Sequence, residues 1–260
     1  MTLAVSIRIP DGLVLAVDSL STIAGSLNLS VNAGFKCSSC GADNQVKTIP
    51  IPPLPFPVST KSAAQKLVKF KDKFGVAFFG NSFVNKKSML SQIRTLEAAI
   101  SGPVATVDTV AEKILYHFER ELREEVKELS QIPENVIPFG FQVVGFDDVG
   151  EGKTWIIELG RTPRKKAESA LGITFTGDIN LVQKLFKQDP GIPTPQPNLL
   201  SYSLQDAVDY AKFLIHFVAD YQRFANMIPT VGGDVDIALV TSYAGFKWIE
   251  RKRISELLEE

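Results

Sequence analysis

Apolar and polar residues alternate from Leu3 to Ile9, with Leu3, Val5, Ile7 and Ile9 on one face and Ala4, Ser6 and Arg8 on the other. A period of two predicts a half-buried strand. Asp11-Gly12 supplies a hairpin turn. Leu13 to Val17 is an unbroken apolar run, too short for a helix, and predicts a strand covered on both faces. The run ends abruptly in Asp18-Ser19. A carboxylate at the end of a covered strand needs a partner.

After Thr22 the texture changes to a Gly-, Ser-, Asn- and Pro-rich stretch that runs through CSSCG at 37–41 and IPIPPLPFP at 49–57, until patterning resumes near Ala64. This is an inserted loop at about 24–62; the prolines between Pro50 and Pro57 remove backbone donors and favour extended polyproline geometry, so that segment reads as a stiff strap across a surface. Lys66–Phe70 and Phe74–Phe79 predict two strands around the charged turn Lys71-Asp72-Lys73, closing on Gly80. Met89, Leu90, Ile93, Leu96 and Ile100 recur at helical spacing within 82–100, and Gly102-Pro103 stops that pattern. A second helix starts at a Thr106 or Asp108 cap and carries Val110, Ile114, Leu115, Phe118, Leu122 and Val126 on one face.

Phe139–Phe146 and Thr154–Leu159 predict another strand pair, Leu171–Thr176 one more short strand, and a helix follows from about Asp178. A proline-rich break at 190–197 precedes a long helix capped by Ser203, with Ala207, Val208, Ala211, Leu214, Ile215 and Val218 on its buried face. Val235–Thr241 and Phe246–Ile249 make a final hairpin, and a charged amphipathic tail ends the sequence. Antiparallel strand pairs alternating with helices predict two antiparallel sheets covered by helices on their outer faces, an α+β architecture with one main core. There is no internal repeat.

Composition narrows the function classes. Lysine and arginine number 28 against 29 acidic residues among 260, and 45% of residues are hydrophobic. A net charge of −1 argues against a general electrostatic footprint for nucleic acid or an anionic membrane. The basic runs Arg164–Lys166 and Arg251–Arg253 read as solvated surface. Arg8, Pro10 and Asp11 interrupt any hydrophobic leader, and no segment approaches the roughly 18 apolar residues of a membrane span. With two cysteines, the expected compartment is the cytoplasm.

Candidate chemistry is sparse. The two histidines, His117 and His216, each fall in a strongly helical stretch, which disfavours a Ser-His-Asp triad, and their spacing matches no two-histidine metal motif. Cys37 and Cys40, followed by Gly41, have the spacing of half a zinc site; a free dithiol or a labile disulfide is the alternative. Thr2 stands where removal of Met1 exposes both a hydroxyl and an amine. An N-terminal threonine supplies its own base, because its α-amine, with a reference pKa of roughly 7.7–8.0, takes the hydroxyl proton. A nearby lysine disfavours the charged amine by like-charge repulsion, and an acid holds that lysine.

Several segments together resemble one family. TLAVSIRIPDGLVLAVDSLST is similar to the opening of the proteasome β-subunit superfamily, which includes the bacterial HslV- and Anbu-type subunits. Lys66-Leu-Val-Lys-Phe, followed by Phe74-Gly-Val-Ala-Phe-Phe-Gly80, resembles its lysine strand and the glycine fourteen residues on, and Val231–Thr241 resembles its GGxIDIAVIT strand. The resemblance implies a four-layer αββα sandwich of the N-terminal-nucleophile hydrolase type. It makes Thr2 the nucleophile, Asp18 and Lys66 the buried pair that tunes it, and Gly80 the oxyanion-hole amide. Thr176 and Asp220 fall at further catalytic positions, Ser21 and Thr22 on the segment that pairs with substrate, and Phe78 on the floor of the primary specificity pocket, where a bulky side chain predicts small or medium residues before the cut.

The resemblance further implies a cytoplasmic threonine endopeptidase without a cofactor, acting on unfolded polypeptides in a homo-oligomeric ring or stacked assembly, with an ATP-dependent unfoldase as a candidate partner. The chain departs from the family in three places. Thr22 to Lys66 leaves 43 residues where the family has about ten to fifteen. The family's GSGS turn is Phe175-Thr176-Gly177-Asp178, Arg223 stands where a serine follows the helical aspartate, and Thr230 is a substitute for that hydroxyl. A two-residue Asp11-Gly12 turn also sets Thr2 opposite Ser21 and points Asp18 to the other face, so a bulge at 18–20 is required. Two other readings stand beside the peptidase: a catalytically silent shell or interaction subunit, and an N-terminal-nucleophile amidase acting on a small amide.

Overall fold

The structure is a computed structural model that describes residues 2–27, 30–33, 40, 47–50, 54–102, 106–186, 197–225 and 228–252. Cys37, residues 190–196 of the expected proline-rich break and the tail beyond Lys252 lie outside these. The chain divides into a large unit, residues 1–21 with 61–260, and a small unit, residues 22–60.

In the large unit, β1 (Leu3–Ile9) and β2 (Gly12–Asp18) form the first hairpin. The small unit contributes β3 (Ser21–Leu27), β4 (Ser30–Ala33), β5 (Lys47–Pro50) and β6 (Leu54–Lys61), with β3 beside β6 and β4 antiparallel to β5. The polyproline strap expected here is therefore corrected to a pair of two-stranded ribbons. Pro55 and Pro57 sit two residues apart, so their missing donors fall on one side of β6, and an edge strand tolerates that.

The chain continues through β7 (Leu67–Phe70), β8 (Phe74–Gly80), the short β9 (Phe83–Val84) and β10 (Lys87–Ser88), α1 (Met89–Ala99) and α2 (Val107–Val126). Next come β11 (Phe139–Phe146), β12 (Gly152–Leu159), β13 (Arg164–Glu168), β14 (Gly172–Gly177), α3 (Asn180–Phe186), α4 (Leu204–Phe224), β15 (Val235–Thr241) and β16 (Gly245–Glu250). The first helix starts later than its periodicity predicts. Asn85 and Lys86 both take positive φ (49° and 61°), the turn a tight hairpin needs, and Ser88 then caps α1 by accepting from the Ser91 amide. Arg164–Lys166, read as plain surface, belongs to the charged edge strand β13, where charge discourages pairing with another chain.

Two five-stranded sheets result, in the orders β14-β1-β2-β15-β16 and β13-β12-β11-β8-β7, with every described pairing in them antiparallel. Strand alternation divides the interior into three apolar clusters. Leu3, Val5, Ile7, Val14 and Ala16 pack with Ala211, Leu214, Ile215 and Val218 of α4. Val76, Phe78, Phe139 and Phe141 pack with Ile93 of α1 and Ile114 and Phe118 of α2. Ala4, Leu15 and Val17 meet Leu67, Ala77 and Val144 between the sheets. This is an α+β sandwich with helices outside both sheets.

The first turn differs from its sequence reading. Ile9 pairs with Gly12 and Ala4 with Val17, so the corner is Pro10-Asp11. Gly12 is glycine for another reason, since a Cβ there would meet the Val240 carbonyl oxygen at 3.0 Å and the Thr241 side chain at 3.1 Å. The proline ring fixes the φ that the first corner position requires. Relative to the expected register, Asp18 moves two residues closer to the N-terminus.

Candidate functional site

That register brings Asp18 opposite Leu3, whose amide donates to Asp18 Oδ1 at 3.0 Å. The Asp18 carboxylate is wholly buried and satisfied on every side: Lys66 Nζ donates to both oxygens at 3.1 Å, and Oδ2 accepts from the amides of Leu20 (3.1 Å) and Gly232 (3.2 Å). Lys66 Nζ also donates to the Leu20 carbonyl. The turn of backbone needed between 18 and 20 has a visible cause. Ser19 and Leu20 both donate their amides to the Gly232 carbonyl, at 3.1 and 2.8 Å, the two-into-one pattern of a bulge. Ser19 Oγ locks it in place, its one proton shared between the carbonyls of Ser62 (2.8 Å) and Asp234 (2.6 Å).

Burial pushes the Asp18 carboxyl up, against the pull of Lys66 and the Leu3 and Gly232 amides. It pushes the Lys66 ammonium down, against Asp18, and the positive charge of Lys252 adds to that lowering. Lys252 is held in a second buried pair, its Nζ and its amide both donating to Asp236, which sits across from Val17 beside Asp18. No sequence reading singled out this second pair. Its signal is the charged Asp236 inside an apolar strand.

Thr2 is buried and lines a cavity of about 290 Å³ together with Gly80, Thr176 and Gly177. Gly80 takes a φ of 85°, and a Cβ there would come within 2.3 Å of the Pro138 carbonyl oxygen, so this corner admits glycine alone. The Thr176 hydroxyl is buried and has no hydrogen-bond partner among the described residues. Because Thr176 pairs with Ala4, its side chain shares the inter-sheet face on the Thr2 side of β1. The Thr2 carbonyl accepts from the Asp178 amide at 2.7 Å. Gly177 brackets the same carbonyl: at a φ of 90°, its Cβ would stand 1.8 Å from the Thr2 oxygen. Gly177→Ala is therefore expected to displace Thr2 and to cost about 2–5 kcal/mol from strain and overpacking together, read by chemical denaturation.

Beneath Thr2 lies a polar network that the sequence reading located at the wrong helical position. Asp220 is exposed, about 200° around α4 from the buried Val218, and does not enter the site. Gln222 enters instead, four residues after Val218 on the buried face. Its Nε2 donates to Asp178 Oδ2 (3.1 Å) and Thr230 Oγ1 (2.8 Å), and its Oε1 accepts from the amides of Thr230 (2.8 Å) and Val231 (3.0 Å). The Thr230 hydroxyl donates to Asp178 Oδ2. Thr230 thus supplies the hydroxyl at this point, while a glutamine stands in for the expected aspartate. Gln222→Leu strips the acceptor from the half-buried Thr230 amide and the buried Val231 amide and is expected to lose about 2–6 kcal/mol, at 1–3 per unsatisfied group, measurable as a shift in denaturation midpoint.

Phe78 is also displaced from its expected place. Alternation along β8 sends it with Phe74 and Val76 into the helix-side core, while Phe79 lines the cavity. Ser21, half-buried, follows directly on Leu20, and Thr22, also half-buried, begins the small unit. Cys40 is exposed. The large unit thus brings Thr2, Gly80 and Thr176 to one cavity and ties Asp18 and Lys66 to the residue after Thr2, so that a hydroxyl lies in a largely apolar cavity and a buried cation is linked to its neighbour in the chain. No protein-family model matches the chain, and neither does any curated protein sequence.

Proposed function

We propose that the chain is an N-terminal-nucleophile peptidase of the proteasome β-subunit kind, a four-layer αββα sandwich that works as a homo-oligomer on unfolded polypeptides in the cytoplasm. The observation that carries this reading is the buried Asp18–Lys66 pair anchored to the amide of Leu3, next to Thr2. A buried charge pair is costly to maintain, and a lysine of lowered proton affinity held by an aspartate that binds the amide directly after Thr2 is an arrangement suited to catalysis.

Removal of Met1 frees the Thr2 amine. Thr2 Oγ1 then attacks the scissile carbonyl carbon while the amine accepts the hydroxyl proton, and the carbonyl electron pair moves onto oxygen. The Gly80 amide stabilises that oxyanion, a donor worth roughly 2.7–4 kcal/mol at such sites. On collapse the carbon–nitrogen bond breaks and the ammonium returns its proton to the leaving nitrogen, leaving an ester on Thr2. Water, giving a proton to the same amine, hydrolyses the ester. Lys66, held by Asp18, disfavours the charged amine and keeps it ready as a base. The Thr176 hydroxyl, without a hydrogen-bond partner among the described residues, is available to hold the amine or the incoming water.

The test is covalent labelling. Intact-mass measurement is expected to show loss of Met1, and an epoxyketone or boronate directed at N-terminal threonine is expected to modify Thr2. Retention of Met1 on the purified protein sinks the peptidase reading in favour of a silent subunit. Turnover of small amides without degradation of casein moves the reading to an amidase.

A further inference from the structure

The cavity beside Thr2 has a wall that the bond-breaking chemistry leaves unused. Phe79, Ile137, Ile156, Phe175 and Ile179 bound it. They come from five places in the chain: the end of β8, the segment before β11, the middle of β12, the end of β14 and the link to α3. Space for the Phe79 ring is made by Gly140, its partner on β11, where a Cβ would come within 2.3 Å of the ring's Cζ. Ile156 is half-buried and Ile137 is 37% exposed, so the apolar wall reaches solvent. Among the lining residues only Glu158 carries a charged side chain, and Arg164 Nε holds its carboxylate at 2.5 Å. At about 290 Å³ the cavity lies near the lower end of the roughly 300–1,000 Å³ range of small-ligand sites.

We propose that this cavity is a specificity subsite that takes one large aliphatic or aromatic side chain of a peptide substrate, adjacent to the bond that Thr2 attacks. The inference rests on the peptidase reading for its substrate class. Its preference is the reverse of the one expected from Phe78. That phenylalanine turns into the helix-side core, and the space next to Thr2 is framed by apolar groups from separate strands. A lysine or arginine side chain entering there leaves its stem on an apolar wall and meets a single carboxylate, Glu158, already paired with Arg164 through one oxygen. A glycine or alanine leaves the apolar wall wet.

The experiment compares hydrolysis of otherwise identical fluorogenic peptides carrying Ala, Lys, Glu, Leu or Phe at each position flanking the scissile bond. It uses the full chain and the variants Ile156→Trp and Ile179→Trp, which fill the cavity from two different elements, so that a folding failure of one leaves the other. The expected result is that Leu and Phe are preferred at one flanking position, that kcat/KM for those peptides falls about 10- to 200-fold in the filled variants, and that the Ala peptide is nearly unaffected. Preference for a charged or small residue that the tryptophans leave unchanged overturns the subsite while the peptidase reading stands. If no peptide is hydrolysed, the peptidase reading fails, and fluorescence anisotropy of the labelled peptides decides the cavity separately. Binding of the Leu and Phe peptides that is lost in Ile156→Trp upholds it, and absence of binding overturns it.

Discussion

Thr2→Ala is expected to lower peptide hydrolysis by about 10⁴-fold or more and to abolish labelling by a threonine-directed electrophile, since removal of a nucleophile costs on that order in comparable enzymes. The substitution deletes a hydroxyl and a methyl but keeps the Thr2 carbonyl that the Asp178 amide binds, so the fold is expected to hold and Tm to move by only a few degrees. Thr2→Ser keeps both the hydroxyl and the amine and is expected to retain measurable activity. Steady-state kinetics on a fluorogenic peptide, with Tm recorded for each variant, provides the check. Hydrolysis by Thr2→Ala at the wild-type rate places the nucleophile elsewhere.

The same hairpin shows how far a sequence can be read. Alternation from Leu3 to Ile9 and the apolar run to Val17 place β1 and β2 to within a residue, because one buried face per strand leaves no other periodicity. The register was not legible. Asp-Gly is a strong local turn signal, but Gly12 is reserved for the close approach of β15, a contact over 200 residues away in the chain, and the corner passed to Pro10. Asp18 reached Leu3 only through that tertiary demand. The bulge at 18–20 can be inferred, since a carboxylate meant for Lys66 has to turn, but nothing in the sequence says that the carbonyl of Gly232, in the glycine pair before β15, organises it.

At the site, residues on strands were easier to read than residues on helices. Thr2, Gly80 and Thr176 meet at one cavity because strand ends fix their positions. Motif spacing points to Asp220, whereas the buried face of α4 continues from Val218 to Gln222 by helical period alone. A glutamine on that face was the available signal. Phe78 and Phe79 differ by one position, and in a strand one position is the whole difference between the helix-side core and the cavity. The proline-rich stretch misled for a different reason: composition reports missing donors but not whether the remaining donors find a neighbouring strand, as they do in β6.

Lys66→Met is expected to be inactive and to lose about 3–5 kcal/mol, the usual cost of removing one member of a buried pair. The loss has a direction in pH. Lys66 is what most opposes the upward push of burial on Asp18, so without it the Asp18 carboxyl rises further above its usual value of 3.8. A group whose folded proton affinity is raised contributes its stability below the unfolded pKa and loses it as pH climbs through the folded one. Lys66→Met is therefore expected to be most stable near pH 4 and to weaken steadily towards neutrality, a slope readable from Tm across that range. Adding Asp18→Asn removes the charge, so the double variant Asp18→Asn/Lys66→Met is expected to lose the slope; its side-chain oxygen still accepts from the Leu3 amide, but Nδ2 then faces the Leu20 and Gly232 amides, so only part of the stability is expected to return. It is not expected to regain activity, because the proposed mechanism needs the Lys66 cation to tune the Thr2 amine. That separation distinguishes a pair retained for chemistry from one retained for folding: recovery of both stability and turnover in the double variant means that Asp18 and Lys66 serve only to hold β2 in place.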